Sequence, residues 1–209
     1  MIGRIIETPD CIAEGAAWLA QRDRRFAVIL EATGPLPLRR KPDGFAALLD
    51  AIVGQQVSVA SANAIWKRLE DSGLTAQEAM AVASDADLRA AGLSRQKARY
   101  GRALANSGID FAALRQQSDE SVIKTLTQVP GIGLWTAEIY AMFALGRSDV
   151  FASGDLALQV AAQAMLALPD RPTAAALRCV AEDWSPWRAV AARALWAYYH
   201  ILRSKQGIR

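Results

Sequence analysis

Residues 128–155 read QVPGIGLWTAEIYAMFALGRSDVFASGD, and two kinds of chemistry meet in them. The Pro-Gly-x-Gly turn offers backbone N–H groups at close range, because Gly131 and Gly133 carry no Cβ to hold a ligand away. The helix expected to follow points its positive end the same way, and the pairing suits a phosphate of a nucleic-acid backbone. Thr136, near the mouth of that helix, is an extra donor. Further on stands a lone carboxylate, Asp155, after Ser153 and Gly154 and before an apolar run. One reading makes it a helix N-cap. The other gives it N-glycosidic bond cleavage, where a fixed negative charge stabilises the sugar cation that develops as the base leaves and can orient or deprotonate the attacking water. The two roles are compatible.

Three more groups bear on such a site. Six tryptophans, at 18, 66, 135, 184, 187 and 196, read mostly as core or edge packing. Trp135 is set apart by lying two residues past the second hairpin glycine, where it can wall a pocket and hold a cationic base against its face. In IVGQQVSVASANAI, Gly54-Gln55-Gln56 interrupts an apolar helix pattern with adjacent amides. That is either a polar helix junction or a side chain presented into a duplex where a base is extruded. In GLSRQKARY, Lys97 and Arg99 either neutralise phosphates or belong to a solvated helix face.

The elements that must position these groups read as helices. Phe45, Leu48, Leu49, Ile52 and Val53 repeat at helix spacing, as do Val122, Ile123, Leu126 and Val129 before the turn, and Leu156, Val160, Ala164 and Leu168 after Asp155. No stretch alternates with a period of two, so no sheet is predicted. Breaks at 34–44, 72–74, 91–94, 106–108, 146–149 and 168–172 leave about nine or ten helices, with a basic, frayed tail RSKQGIR. The chain has 209 residues, 52% of them apolar, which suffices for a core. A net charge of +3 is compatible with a nucleic-acid partner without establishing one. The single histidine, His200, argues against zinc hydrolases and Ser-His-Asp enzymes. Cys11 and Cys179 form no CxxC pair, and the start MIGRIIETPD lacks a signal-peptide apolar run, so a reduced, cytoplasmic chain without membrane association is expected.

The hairpin-to-Asp155 block, GQQVS, GLSRQKA and WSPWRAVAARALW occur together, in the order seen in the bacterial DNA-3-methyladenine glycosylase II family of the helix-hairpin-helix glycosylase superfamily, which the chain resembles over roughly residues 40–200. The resemblance implies an all-α, two-lobed fold, residues 1–209 forming one such domain, with DNA and the flipped base held between the lobes. It implies a monofunctional glycosylase that hydrolyses the N-glycosidic bond of alkylated bases, chiefly N3-methyladenine and also N7-methylguanine, in base excision repair. Asp155 matches the catalytic Asp, Trp135 the pocket tryptophan and Gln56 the wedge. The carbonyls of Thr127, Val129 and Ile132 match positions that hold Na+ or K+; no other cofactor is implied. The implied partner is double-stranded DNA with alkylated bases, met by a bacterial monomer at the nucleoid.

Departures set limits. Longer members carry an N-terminal α/β domain, for which the residues before 40 are too few, so the compact members are the nearer match. Ile139 stands where some members have a pocket tyrosine, which bears on substrate range. No four-cysteine cluster follows residue 196, and Trp135 stands where relatives with lyase activity have the Schiff-base lysine. A glycosylase for deaminated or oxidised bases and a non-catalytic damage-recognition protein remain alternatives.

Overall fold

Apolar residues spaced by three and four along most of the chain have one economical arrangement, helices that turn those faces inward. The computed structural model describes residues 3–205 and shows that arrangement. Among the described residues there is no strand, and Ile5 and Arg147 make one isolated antiparallel bridge. The helices are α1 (Pro9–Arg22), α2 (Arg24–Thr33), α3 (Phe45–Gly54), α4 (Val59–Asp71), α5 (Gln77–Val82), α6 (Asp85–Ala90), α7 (Arg95–Ala105), α8 (Phe111–Leu114), α9 (Asp119–Thr127), α10 (Leu134–Phe143), α11 (Leu156–Met165), α12 (Ala174–Ala181) and α13 (Arg188–Lys205), with a 3-10 turn at Glu182–Trp184. That is more than the stop signals imply. The additional ones, α5, α6 and α8, have only four to six residues, too short to show a repeat. α6 owes its start to a capping box, with Asp87 N–H donating to Ser84 Oγ and Ser84 N–H to the Asp87 carboxylate. Of the expected tail, Arg203–Lys205 continue α13, and residues 206–209 lie outside the described residues. No helix among the described residues is long and apolar enough to cross a membrane.

The chain divides into two compact units, Lys41–Tyr140 and Met1–Arg40 with Ala141–Arg209. In Lys41–Tyr140, α7 packs on α3, α5 and α6, and α3 on α4. Phe45, Leu48, Leu49, Ile52 and Val53 of α3 are all buried, as their spacing predicts. Tyr140 fixes the approach to α3: its hydroxyl accepts the Gly44 N–H at 2.8 Å. Burial pushes that phenol up to about 12.

In the other unit α13 packs against α1, α2 and α11. Arg193 of α13 is buried, donates to the Ala189 and Leu38 carbonyls at 2.8 and 3.3 Å, and lies 4.6 Å from the Phe143 ring centroid. Burial, aided by Arg39 and Arg40, pushes its guanidinium down to about 10, so it stays charged at neutral pH. The face expected of α11 is corrected. Leu158, Ala161, Ala162 and Met165 are its buried positions, whereas Leu156 is 55% exposed and Val160, Ala164 and Leu168 line an open groove. Both sets are apolar and helix-spaced, and tertiary packing, chiefly on α13, decides between them.

α11 ends in a Schellman motif. Leu168 N–H bonds the Gln163 carbonyl at 3.0 Å and Ala167 N–H the Ala164 carbonyl at 3.4 Å, with Ala167 at φ 51°. Glycine suits that conformation better than any residue with a Cβ. Ala167→Gly is therefore expected to stabilise the protein by about 1 kcal/mol, raising Tm by roughly 2–4 °C. A calorimetric Tm that stays put or falls would rule this out.

Candidate DNA-glycosylase site

The hairpin between α9 and α10 is built around a tight turn. Ile132 N–H bonds the Val129 carbonyl at 3.0 Å, Pro130 sits at the second position and Gly131 at the third with φ 93°, which makes a type II turn. Gly131 is required for a second reason: a Cβ there would collide with the Tyr100 ring of α7. Its carbonyl is held by the Gln55 side-chain amide, donating at 2.9 Å. Packing inside the protein is thus a reason for glycine at 131 in addition to the ligand-binding one read from the sequence. Gly133 is the open one: it is exposed, and a Cβ added there meets nothing within 4 Å. Ala137 N–H bonds the Gly133 carbonyl at 3.0 Å, so the ladder of α10 begins there. The N–H groups of Gly133 and Leu134 precede that ladder at the positive end of the helix dipole.

Leu134 and Trp135 are 50% and 46% exposed in the first turn of α10, whereas Thr136 is 6% exposed. The first turn therefore presents its surface through 133–135, and the Thr136 side chain faces inward. Gln56 lies in the exposed loop between α3 and α4 at φ 56°, a left-handed conformation that costs a residue with a Cβ about 1–2 kcal/mol. Its neighbour Gln55 ties that loop to the hairpin through the bond just described. Lys97 donates from Nζ to the Val53 carbonyl at 2.6 Å, at the negative end of α3, and burial lowers its pKa. Thr127 Oγ1 turns back to the Ile123 carbonyl at 2.8 Å, while Val129 and Ile132 are buried in the turn.

Asp155 belongs to the other unit. It is the N-cap of α11: its Oδ1 accepts the N–H groups of Ala157 at 2.9 Å and Leu158 at 3.1 Å. Trp196 of α13 adds an indole N–H to the same oxygen at 3.2 Å. Three donors on one oxygen fix the plane and aim of the half-buried carboxylate. Gln159 holds the preceding loop by donating to the Ser153 carbonyl at 3.0 Å, and Trp196 leans on Phe143 with ring centroids 5.7 Å apart.

The structure thus gathers Gln55, Gln56, Tyr100 and the hairpin in one unit, and Asp155 with Trp196 in the other. Sequence reasoning missed Gln55, Tyr100 and Trp196 as positioning groups. Their partners lie 76, 31 and 41 residues away, and no local pattern marks such pairs.

Comparison with known proteins shows the family. A family model described as HhH-GPD superfamily base excision DNA repair protein matches residues 49–186. A DNA-3-methyladenine glycosidase from Bacillus halodurans is 33% identical, with a TM-score of 0.82 over 98% of this chain and 95% of its own. The 3-methyladenine DNA glycosylase of Schizosaccharomyces pombe, solved with abasic DNA, is 27% identical, with a TM-score of 0.74 over 88% of this chain and 95% of its own. The chain is 31% identical to the DNA-3-methyladenine glycosylase 2 of Escherichia coli over 74% of its own residues and spans 57% of that protein; it spans 64% of a Bacillus subtilis relative. With a family match over more than half its length and relatives that are 3-methyladenine DNA glycosylases, the chain belongs to the HhH-GPD superfamily of base excision DNA repair proteins.

Proposed function

We propose that the protein is a monofunctional DNA glycosylase of the type II class that releases alkylated bases, N3-methyladenine first and N7-methylguanine second, acting as a monomer on double-stranded DNA at the nucleoid. The observation that carries the reading is the Asp155 carboxylate, held through one oxygen by Ala157, Leu158 and Trp196 on a chain of this superfamily. An N3-methylated adenine is already cationic. When the C1′–N bond breaks, its electron pair returns to the ring and neutralises it, so the leaving group needs no general acid. Positive charge passes to the sugar, where the carboxylate of Asp155 stabilises it and takes a proton from the water that bonds to C1′.

The other residues bind and orient. The N–H groups of Gly133 and Leu134 hold a phosphate, with Gly131 shaping the turn beneath them. Lys97, braced on Val53 in the same unit, adds positive charge, and Thr136 contributes through the backbone of the first turn. Gln56 occupies the gap left by the extruded base, and the strained φ of its loop favours that role. Trp135 stacks on the cationic base, with Ile139 one turn further along the same face of α10. The carbonyls of Thr127, Val129 and Ile132 are neutral oxygen ligands from one tight turn, a donor set that fits Na+ or K+. Such an ion would brace the turn and add positive charge near the phosphate.

No lysine occurs between Lys124 and Asp155, and the indole of Trp135 forms no Schiff base. Incubation with methylated duplex should release 3-methyladenine, identified by chromatography, and leave strands unbroken until alkali is added. Release confined to deaminated or oxidised bases would overturn the substrate assignment. Breaks before alkali, or a borohydride-trapped protein–DNA adduct, would overturn the monofunctional one.

A further inference from the structure

α7 carries Arg95, Arg99 and Arg102 at i, i+4 and i+7, which is one stripe along the helix. With Arg89 of α6 they line a cavity of about 300 Å3 in which Asp85 is the one lining carboxylate. Arg102 is committed within the protein: its Nη2 bonds Asp85 at 2.6 Å and the Ala83 carbonyl at 2.9 Å. Arg89, Arg95 and Arg99 are exposed and pair with no carboxylate among the described residues. Like charges one helical turn apart repel, so the stripe destabilises the free helix slightly and calls for an external anion. Its surroundings say which kind. The Arg99 guanidinium lies 5.5 Å from the Tyr100 ring centroid, and that same ring packs on Gly131 of the hairpin turn, all within Lys41–Tyr140. Through Tyr100, the Arg99 end of the stripe is one ring away from the turn proposed to offer N–H groups to a phosphate.

We propose that Arg89, Arg95 and Arg99 hold a second run of DNA phosphates, beyond the one at the hairpin. The inference rests on the DNA-glycosylase reading and gives this face of the protein to sequence-independent grip rather than to lesion choice. Guanidiniums suit the task, since each offers a planar fork of donors to phosphate oxygens.

The test is the salt dependence of binding to an undamaged duplex, measured by fluorescence anisotropy. Removing one arginine–phosphate pair flattens the plot of log K against log salt by about 0.9. Arg95→Gln/Arg99→Gln should flatten it by about twice that and weaken binding most at low salt. Arg95→Lys/Arg99→Lys should keep the slope, and Arg24→Gln, in the other unit, should leave it unchanged. Arg89→Gln alone, with an expected change of about 0.9, keeps the question open to test if the double variant does not fold. Equal losses from the Gln and Lys variants, an equal change from Arg24→Gln, or no change from the Gln variants each overturn the proposal. Wild-type protein that binds no duplex defeats the DNA reading itself, whereas wild type that releases 3-methyladenine with a slope indifferent to the Gln variants defeats only the stripe.

Discussion

Asp155→Asn should lower single-turnover release of 3-methyladenine by ~10²-fold or more, with DNA binding kept or improved. The substitution is chosen because it separates two roles, capping and the proposed catalytic one, that share one carboxylate. Asn is as good an N-cap as Asp, and its side-chain oxygen can still accept from Ala157, Leu158 and Trp196. What is lost is the charge, and with it the stabilisation of the sugar cation. Asp155→Ala loses both roles: activity falls as far, and removal of the cap costs a further ~1 kcal/mol, or about 2–4 °C in Tm. If Asp155→Asn released base at near wild-type rate while Asp155→Ala merely melted earlier, Asp155 would be a helix cap and nothing else.

Gly131→Ala and Gly133→Ala should fail in different assays. At Gly131 a methyl group meets the Tyr100 ring and φ is 93°, so overpacking and backbone strain together cost about 2–4 kcal/mol. A Tm lower by on the order of 10 °C is expected. Gly133 is open on the Cβ side, and its Ala variant should melt as wild type does. It should nonetheless bind damaged and undamaged duplex alike about tenfold more weakly, because on the proposed reading the methyl would stand where a phosphate meets the N–H groups, and a hydrogen bond to a charged group contributes ~1.5–3 kcal/mol. Normal duplex binding by Gly133→Ala would remove the hairpin from the DNA-binding surface. Normal melting of Gly131→Ala would contradict the packing on Tyr100.

What the sequence discloses here is what local rules govern. The buried face of α3, the Pro-Gly turn and the capping position of Asp155 each depend on residues within a few places of one another, and each is found as read. The α11 face went the other way because, in an alanine-rich helix, two stripes satisfy the same spacing and tertiary packing, chiefly on α13, chooses between them. Lys97 shows a different limit. Its position on a helix start suggests phosphate, but its nearest partner is the Val53 carbonyl, 44 residues earlier in the chain. The triple grip on Asp155 was half legible: the two backbone donors follow from its being an N-cap, and the Trp196 indole follows from nothing near it.

The amide of Gln55 ties the hairpin to the loop of Gln56 within one unit, like the two arms of a caliper. On the proposed reading, in which the hairpin holds the backbone and Gln56 enters the stack, a duplex gripped by one arm would meet the other at an offset set by that hydrogen bond. During a search along undamaged DNA the same side chain would be offered to every base pair in turn, at the same height and angle. Inspection would then need no separate decision to begin: taking hold of the backbone and probing the stack would be a single act, and the stability of each base pair would determine whether it yields.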